Sequence, residues 1–370
     1  SRQPVQAAGY KEFYMKCKLL LSALISAACL NATASEVTLY GVIDEAVTVT
    51  KHKGESAVVK MDNGIYAGSR FGLRGVEDLG NGNSVGFILE QGFNADDGSE
   101  AYAGKAFSRE ALLQVKGKWG ELAFGRAGGL SSDCGTYTIL HGGALWTSYY
   151  TDGNLASAFI VSDRMDNLVV YRSPEFSGMS ITAMYSNGTG LNSEGEDNQK
   201  WSKNSHYYGI GLDYSHNETI FSVIWELLDN KDLGAKSTQL FTLGGQQGFG
   251  DWTFWAGYQY AHNSQMLPGW NYATQGRKGV SQHAVTAAVG RKAWGGEWKF
   301  EGNYAHGKSN HSGKKYNIWS AGTAYEYPVS KRTLTYVYGG YGKANKLLNT
   351  DEYKSAFNSW TVCLGVSHSF

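Results

Sequence analysis

The 370-residue chain has only 4 prolines and 4 cysteines, and its 33 basic and 33 acidic residues cancel. So few cysteines exclude a disulfide scaffold. Balanced charge without a polybasic face excludes nucleic acid as a partner. Beyond residue 34 no apolar run approaches the roughly 18 residues that a membrane-crossing helix requires. Catalytic signatures are also missing. There is no G-x-S-x-G elbow and no H-E-x-x-H, and the Gly-rich "GVEDLGNGNS" lacks the Lys-Ser/Thr pair and following helix of a phosphate loop. His306 and His311 in "HGKSNH" fall in a Gly/Ser/Lys stretch that reads as a solvated loop rather than a ligand pair. No enzyme activity, cofactor or metal is expected.

What is present points to an exported all-β chain. Met15 opens "MKCKLLLSALISAACLNATA", with basic Lys16 and Lys18, an apolar run from Leu19 to Leu30 and the small-x-small signal Ala32-Thr33-Ala34. Residues 15–34 therefore read as a cleaved secretory signal peptide and residues 1–14 as an upstream extension. The expected mature chain, 35–370, loses four basic residues and one acidic, becomes mildly acidic, and keeps only Cys134 and Cys363, expected as free thiols. Its 48 Gly, 24 Tyr, 15 Phe and 11 Trp supply turns, strand formers and side chains suited to membrane interfaces.

Period-two alternation recurs along this region. "EWKFEGNY" puts Trp298, Phe300, Gly302 and Tyr304 on one face and Glu297, Lys299, Glu301 and Asn303 on the other. "YGIGLDY" at Tyr208, "WTFWAGYQY" at Trp252 and the terminal strand through Trp360, Val362, Leu364 and Val366 behave alike. Connections alternate too. Short ones lie at 116–120, 173–178, 215–218, 246–251, 291–296 and 328–332, and long polar ones at 51–65, 94–106, 187–205, 227–237, 262–281, 306–315 and 342–354.

These connections separate sixteen strands, near 37–49, 66–75, 84–93, 107–116, 121–126, 167–172, 179–186, 207–214, 220–226, 239–245, 252–260, 283–290, 298–305, 317–327, 333–341 and 357–370. An even count with one trimmed end and one decorated end predicts an all-β, 16-stranded antiparallel transmembrane β-barrel with short periplasmic turns and long outer loops. A soluble eight-stranded barrel would need about half this length, and no blade-length repeat supports a propeller. The aromatic faces are then expected against lipid and the charged faces against water.

Several stretches carry a family likeness: "SEVTLYGVIDEAV", "AGSRFGLRGVEDLGNG", "EQGFN", "FSRE", "LAFGR", "NLVVYRSPEFSG" and the terminal "GVSHSF". Together they resemble the trimeric general porins of Gram-negative outer membranes, of the type common in beta-proteobacteria. The likeness is dense in the N-terminal third and at the end, and only architectural from about Asn187 to Asp351. It implies a homotrimer in outer-membrane lipid and lipopolysaccharide that passes small hydrophilic solutes and ions. Its subunits would meet through the first strands and a second loop, here Asn94 to Ala106. It also implies a third loop, 127–162, folded into the lumen, and a terminal aromatic, Phe370, read by the barrel-assembly machinery. A substrate-specific channel or a surface adhesin using the long outer loops is the alternative.

Charges at the constriction are the candidate site. Arg70 and Arg74 share the parity opposite Phe71 and Leu73 and should point inward. The resemblance adds Arg109 and Arg164 as partners of Arg70, and Arg126 sits where the fifth strand enters the third loop. Loop carboxylates should stand opposite, here Asp133 and Asp152, with Asp163 at the loop's end and Glu90 on the third strand. Several arginines against few acids predict a weakly anion-favouring passage, although acidic outer loops such as "NSEGED" pull the other way.

Overall fold

In the computed structural model of the protein, residues 36–132, 134–145, 149, 158–190, 201–268, 271–272, 277–348 and 357–370 are described. The signal-peptide reading lies outside them. Where alternation is strong, strands form: β1 Glu36–His52, β2 Val58–Asn63, β3 Arg70–Gly80, β4 Asn83–Gly92, β5 Glu110–Gly117, β6 Gly120–Gly128, β7 Arg164–Arg172, β8 Met179–Asn187, β9 His206–His216 and β10 Thr219–Leu228. They continue with β11 Thr238–Phe249, β12 Trp252–Ser264, the two-residue pair β13 Met266–Leu267 and β14 Asn271–Tyr272, β15 Val280–Ala293, β16 Gly296–Ser309, β17 Lys315–Pro328, β18 Thr333–Ala344 and β19 Ser359–Ser369.

Every neighbouring pair in the wall is antiparallel, and β19 returns to pair with β1 from Val42↔Ser369 to His52↔Ser359. The sheet is closed, which removes the unpaired edges that an open sheet would expose. Its seventeen segments make sixteen staves, because β2 pairs with the upper half of β1 and β3 with the lower half. This corrects the second strand, expected at 66–75, and the long outer stretch expected at 51–65. A tight turn follows β1, the chain returns at once as β2, and residues 64–69 then leave the wall before β3. The interruption has a job, since Asp44 of β1 accepts from the Tyr66 amide at 3.1 Å and the Asp44 amide donates to Ser69 at 3.0 Å.

Two-residue turns close one end of the barrel. At Asn81–Gly82 and Trp294–Gly295 both central residues have positive φ, 55° and 78° in the first and 54° and 80° in the second. That geometry matches the twist of the flanking strands. At the other end β16 runs on to Ser309 and β17 begins at Lys315, so half of the stretch expected as a loop at 306–315 is strand. His306 accordingly sits in the wall opposite His283, and among the described residues no cluster of three metal-ligating side chains occurs.

Burial assigns the two faces. Phe300 is 51% exposed and Tyr304 44%, whereas Glu301 between them is 4% exposed and Asn303 6%. The aromatic parity therefore faces outward, as the alternation predicts. The charged parity faces inward but mostly not open water: Lys299 donates to Glu326 at 2.8 Å, and Glu301 is covered by the third loop. Among the largest fully buried side chains, Leu130, Tyr137, Leu145, Tyr149 and Phe159 belong to that loop. The apolar core of the molecule is the contact between the third loop and the inner wall.

Candidate functional site: the lumen and its third loop

The described residues of the third loop, 129–132, 134–145, 149 and 158–163, are held against the inside of the barrel by inward-facing wall side chains. Tyr207 donates to Glu226 at 2.7 Å and receives the Leu130 amide at 3.0 Å. His141 meets Asp213 at 2.9 Å. Glu301 takes the amides of Ala144 and Leu145 at 2.6 and 2.8 Å, and Glu326 takes the Tyr149 hydroxyl at 2.8 Å. On the way back, Gln259 brackets Ile160 by donating to its carbonyl and accepting from its amide, both at 2.7 Å, and Gln282 donates to the Ala158 carbonyl at 2.8 Å. Except for the half-exposed His141–Asp213 pair, each contact satisfies a backbone or hydroxyl group that would otherwise be buried without a partner, at a cost of about 1–3 kcal/mol per group.

Glycines in the wall make the track. A side chain at Gly244 would strike the His141 carbonyl, one at Gly211 would strike Ile139, and one at Gly257 would approach Phe159 at 3.1 Å. At the far end the loop is held by tyrosines: the Tyr149 ring stacks on Tyr338 at 4.8 Å and lies edge-on to Tyr66 and Tyr336 at 5.9 and 5.6 Å.

Between residues 134–136 of the loop and the wall formed by β1, β3, β4 and β5 lies a chamber of about 720 Å³. Its charged lining is Arg70, Arg74, Arg109 and Arg164 against Glu90 and Glu110. Arg109 pairs with Glu90 at 2.6 Å, and Arg70 lies 3.5 Å from the other Glu90 oxygen, which also accepts from Tyr40 at 3.0 Å. Arg74 is exposed, its guanidinium 5.2 Å above the Tyr40 ring. Arg164 lies 2.6 Å from the Cys134 sulfur and 3.4 Å from the Tyr102 hydroxyl. Glu110 holds the loop by accepting from the Thr136 amide and hydroxyl at 2.7 and 2.8 Å. Burial pushes the Tyr66 phenol up to about 12 and raises that of Tyr102, so both stay neutral beside the arginines.

One expected site residue falls elsewhere and another stands on an unexpected side. Arg126 does not line the chamber: it donates to the Ser108 carbonyl at 2.7 Å and pairs with Asp166 at 2.6 Å, where Lys105 of the second loop joins at 2.7 Å. Arg126 shares the outward parity of Phe124, which is 42% exposed, whereas Ala123 and Ala127 on the other parity are fully buried. Glu90 does reach the chamber, but on the same wall as the arginines, because β4 lies between β3 and β5. Asp133 and Asp152 lie outside the described residues. Sequence reading missed Tyr40 and Glu110, which inward parity could have supplied, and Tyr102, for which the second loop offers no periodic signal. That loop folds onto its own chain through Tyr102 and Lys105. Among the described residues Cys134 and Cys363 form no disulfide.

A closed sheet with an apolar outer belt, a charged interior chamber and a loop laid across the lumen defines a transmembrane β-barrel channel. The chain belongs to the Gram-negative porin family, whose model matches residues 20–347. It is a porin of the outer membrane, forming a water-filled passage for passive diffusion of small solutes. A curated relative, an outer membrane porin protein of Bordetella pertussis, is 28% identical over 95% of this chain and 100% of its own length. Among solved structures, an anion-selective porin from Comamonas acidovorans superposes with a TM-score of 0.65 at 23% identity, covering 91% of this chain and 100% of that one. The in-vitro folded outer membrane protein OmpT of Vibrio cholerae, in its trimer form, gives 0.64 at 16% identity with the same coverage.

Proposed function

We propose that the passage favours small anions, and that Arg70, Arg74, Arg109 and Arg164 form its selective surface. The observation that carries this is the charge lining the chamber: four guanidinium groups against two carboxylates, with Glu90 paired to Arg70 and Arg109 and Glu110 hydrogen-bonded to Thr136. Fixed positive charge beside a narrow aqueous path lowers the energy of a passing anion and raises that of a cation. The Comamonas relative, described as anion-selective, supports the same reading. Reversal potentials across a salt gradient in planar bilayers test it. A permeability ratio favouring chloride over potassium is expected, and clear cation preference overturns it. Unsaturated conductance with every small solute tried is expected of a general porin, whereas saturable block by one solute marks a specific channel.

We further propose that the chain works as a homotrimer whose contact face is β1, β3 and β19. Many of their outward residues are aliphatic, including Leu39, Val47, Leu364 and Val366, with Phe71 and Trp360 as aromatic exceptions, whereas the outward face of β12 to β17 carries Trp252, Phe300, Tyr304 and Trp319. Aromatic side chains suit a lipid interface and aliphatic ones suit packing between protein walls. Phe370 fits a terminal assembly signal, with its ring over Gly41 and its backbone paired to that residue at 3.0 and 3.1 Å. Crosslinking and sedimentation of the detergent-purified protein test the trimer.

A further inference from the structure

A second cavity, of about 50 Å³, lies between the returning limb of the third loop and the outer ends of β9 to β12. It shares no lining residue with the arginine chamber. Its walls are mostly apolar, with Ile160, Val161 and Met165 on the loop side and Leu228, Leu240 and Met266 on the side of the wall. One water needs about 10–15 Å³ of such space, so there is room for about three to five atoms of that size.

Two deeply buried side chains in this lining each carry an acceptor with no partner. Glu226 is 2% exposed; its Oε1 accepts from the Tyr207 hydroxyl at 2.7 Å and the Ser131 amide at 3.2 Å, while its Oε2 accepts from nothing. Asn230 is 1% exposed and spends both amide protons, donating to the Lys236 carbonyl at 2.9 Å and to the Thr238 hydroxyl at 3.0 Å. That hydroxyl in turn donates to the Asn263 carbonyl at 3.2 Å, which fixes the orientation of the amide and leaves Asn230 Oδ1 as the unpaired end. Among the described residues the lining contains no lysine, arginine or histidine, and Asp163 adds a second carboxylate at its half-buried rim. A buried carboxylate oxygen without a donor or a cation is costly. The cavity thus offers two acceptors and negative charge in an apolar setting, and no cation of its own.

We propose that this cavity binds a short primary alkylamine, whose ammonium group donates to Glu226 Oε2 and Asn230 Oδ1 while its alkyl chain lies against Ile160, Leu228 and Leu240. An ammonium carries three donors and a full positive charge, so it satisfies both orphaned acceptors and neutralises the carboxylate. A bare calcium or magnesium ion would need about six oxygen ligands, far more than the two left free here. Residues 160–163 of the loop form one side of the cavity, so a bound amine holds the returning limb of the loop to the wall beside the point where Gln259 brackets Ile160. The inference is independent of the anion selectivity proposed for the arginine chamber.

The test titrates the purified full-length protein in detergent with propylammonium chloride, using calorimetry to measure binding and heat-dependent gel mobility to follow unfolding. Three controls run at matched concentration: tetramethylammonium chloride, which has no N–H donor, 1-propanol, which has no charge, and sodium chloride. Propylammonium should bind saturably, one per chain, and raise the unfolding temperature, and none of the controls should do either. Glu226→Gln should weaken binding about tenfold or more. Asn230→Gly tolerates the positive φ of 40° at this position while removing the acceptor, and should weaken binding less. Absence of saturable binding, an equal effect of any of the three controls, or unchanged affinity in both variants each overturns the proposal. The controls need only the unsubstituted protein, so they decide the matter even where a variant fails to fold.

Discussion

The two sides of the lumen use the same kind of residue for opposite ends. On β9 to β17, Asp213, Glu226, Glu301 and Glu326 point inward, and each one binds the third loop. On β3 to β5 and at the start of β7, inward-facing Arg70, Arg74, Arg109 and Arg164 line open space. Alternation supplied the carboxylates and Arg70 and Arg74, whereas Arg109, just before β5, and Arg164 came from the family resemblance. The third loop decides between them: charge beneath it is structural, and charge beside it sets the field that a solute meets. An asymmetric lumen thus arises without an asymmetric strand pattern.

The largest effect is expected from stripping the structural side. Glu301→Ala leaves the Ala144 and Leu145 amides without their acceptor in a buried setting, at about 1–3 kcal/mol for each. The loop should release from the wall, which would appear as higher or noisier single-channel conductance together with a lower unfolding temperature. An unchanged channel would show that the loop needs no carboxylate to hold it. Gly244→Val attacks the same track from below, because its side chain would strike the His141 carbonyl. Overpacking of this kind costs about 1–3 kcal/mol, and proteolysis should find the displaced loop without loss of the barrel.

The open side should answer differently. In Arg70→Gln/Arg109→Gln the barrel should keep its unfolding temperature to within a few degrees while the anion-to-cation permeability ratio falls. A unit charge about 6 Å from an ion in water is worth about 0.7 kcal/mol, so a roughly threefold loss per arginine is expected in reversal-potential measurements. Arg126→Gln is the control with the smallest effect. Its partner is Asp166 under the second loop, not the passage, so selectivity should stay as it is and stability should drop by no more than about 1 kcal/mol. A selectivity change as large as that of the double variant would mean that Arg126 reaches the lumen after all.

Legibility in the sequence followed the range of the interaction. Strand existence, inward and outward faces and the short turns came through because period two is a local property, visible in any stretch such as 297–304. Strand ends were less legible. His306 and Lys308 looked like loop because polar residues continue along the wall above the lipid boundary, where outward positions no longer need to be apolar. The second stave hid its interruption because Gly64 to Ser69 leaves the wall for Asp44, a partner some twenty residues earlier. Among site residues, Arg70 and Arg74 were readable from parity alone. Arg126 shares the outward parity of Phe124, so alternation itself argued against it, and the side of the chamber on which Glu90 stands was decided by neighbour order in the sheet.

By itself, the sequence determined a chain of alternating strands with one apolar face, an aromatic boundary and connections of two lengths, and therefore a barrel with charges turned inward. Only the tertiary structure decided which of those charges remain exposed to a solute. The reason is separation along the chain. Ala144 meets Glu301 across 157 residues and Tyr149 meets Glu326 across 177. Contacts that distant exist only once sixteen staves have closed into a ring and given the third loop a wall to follow.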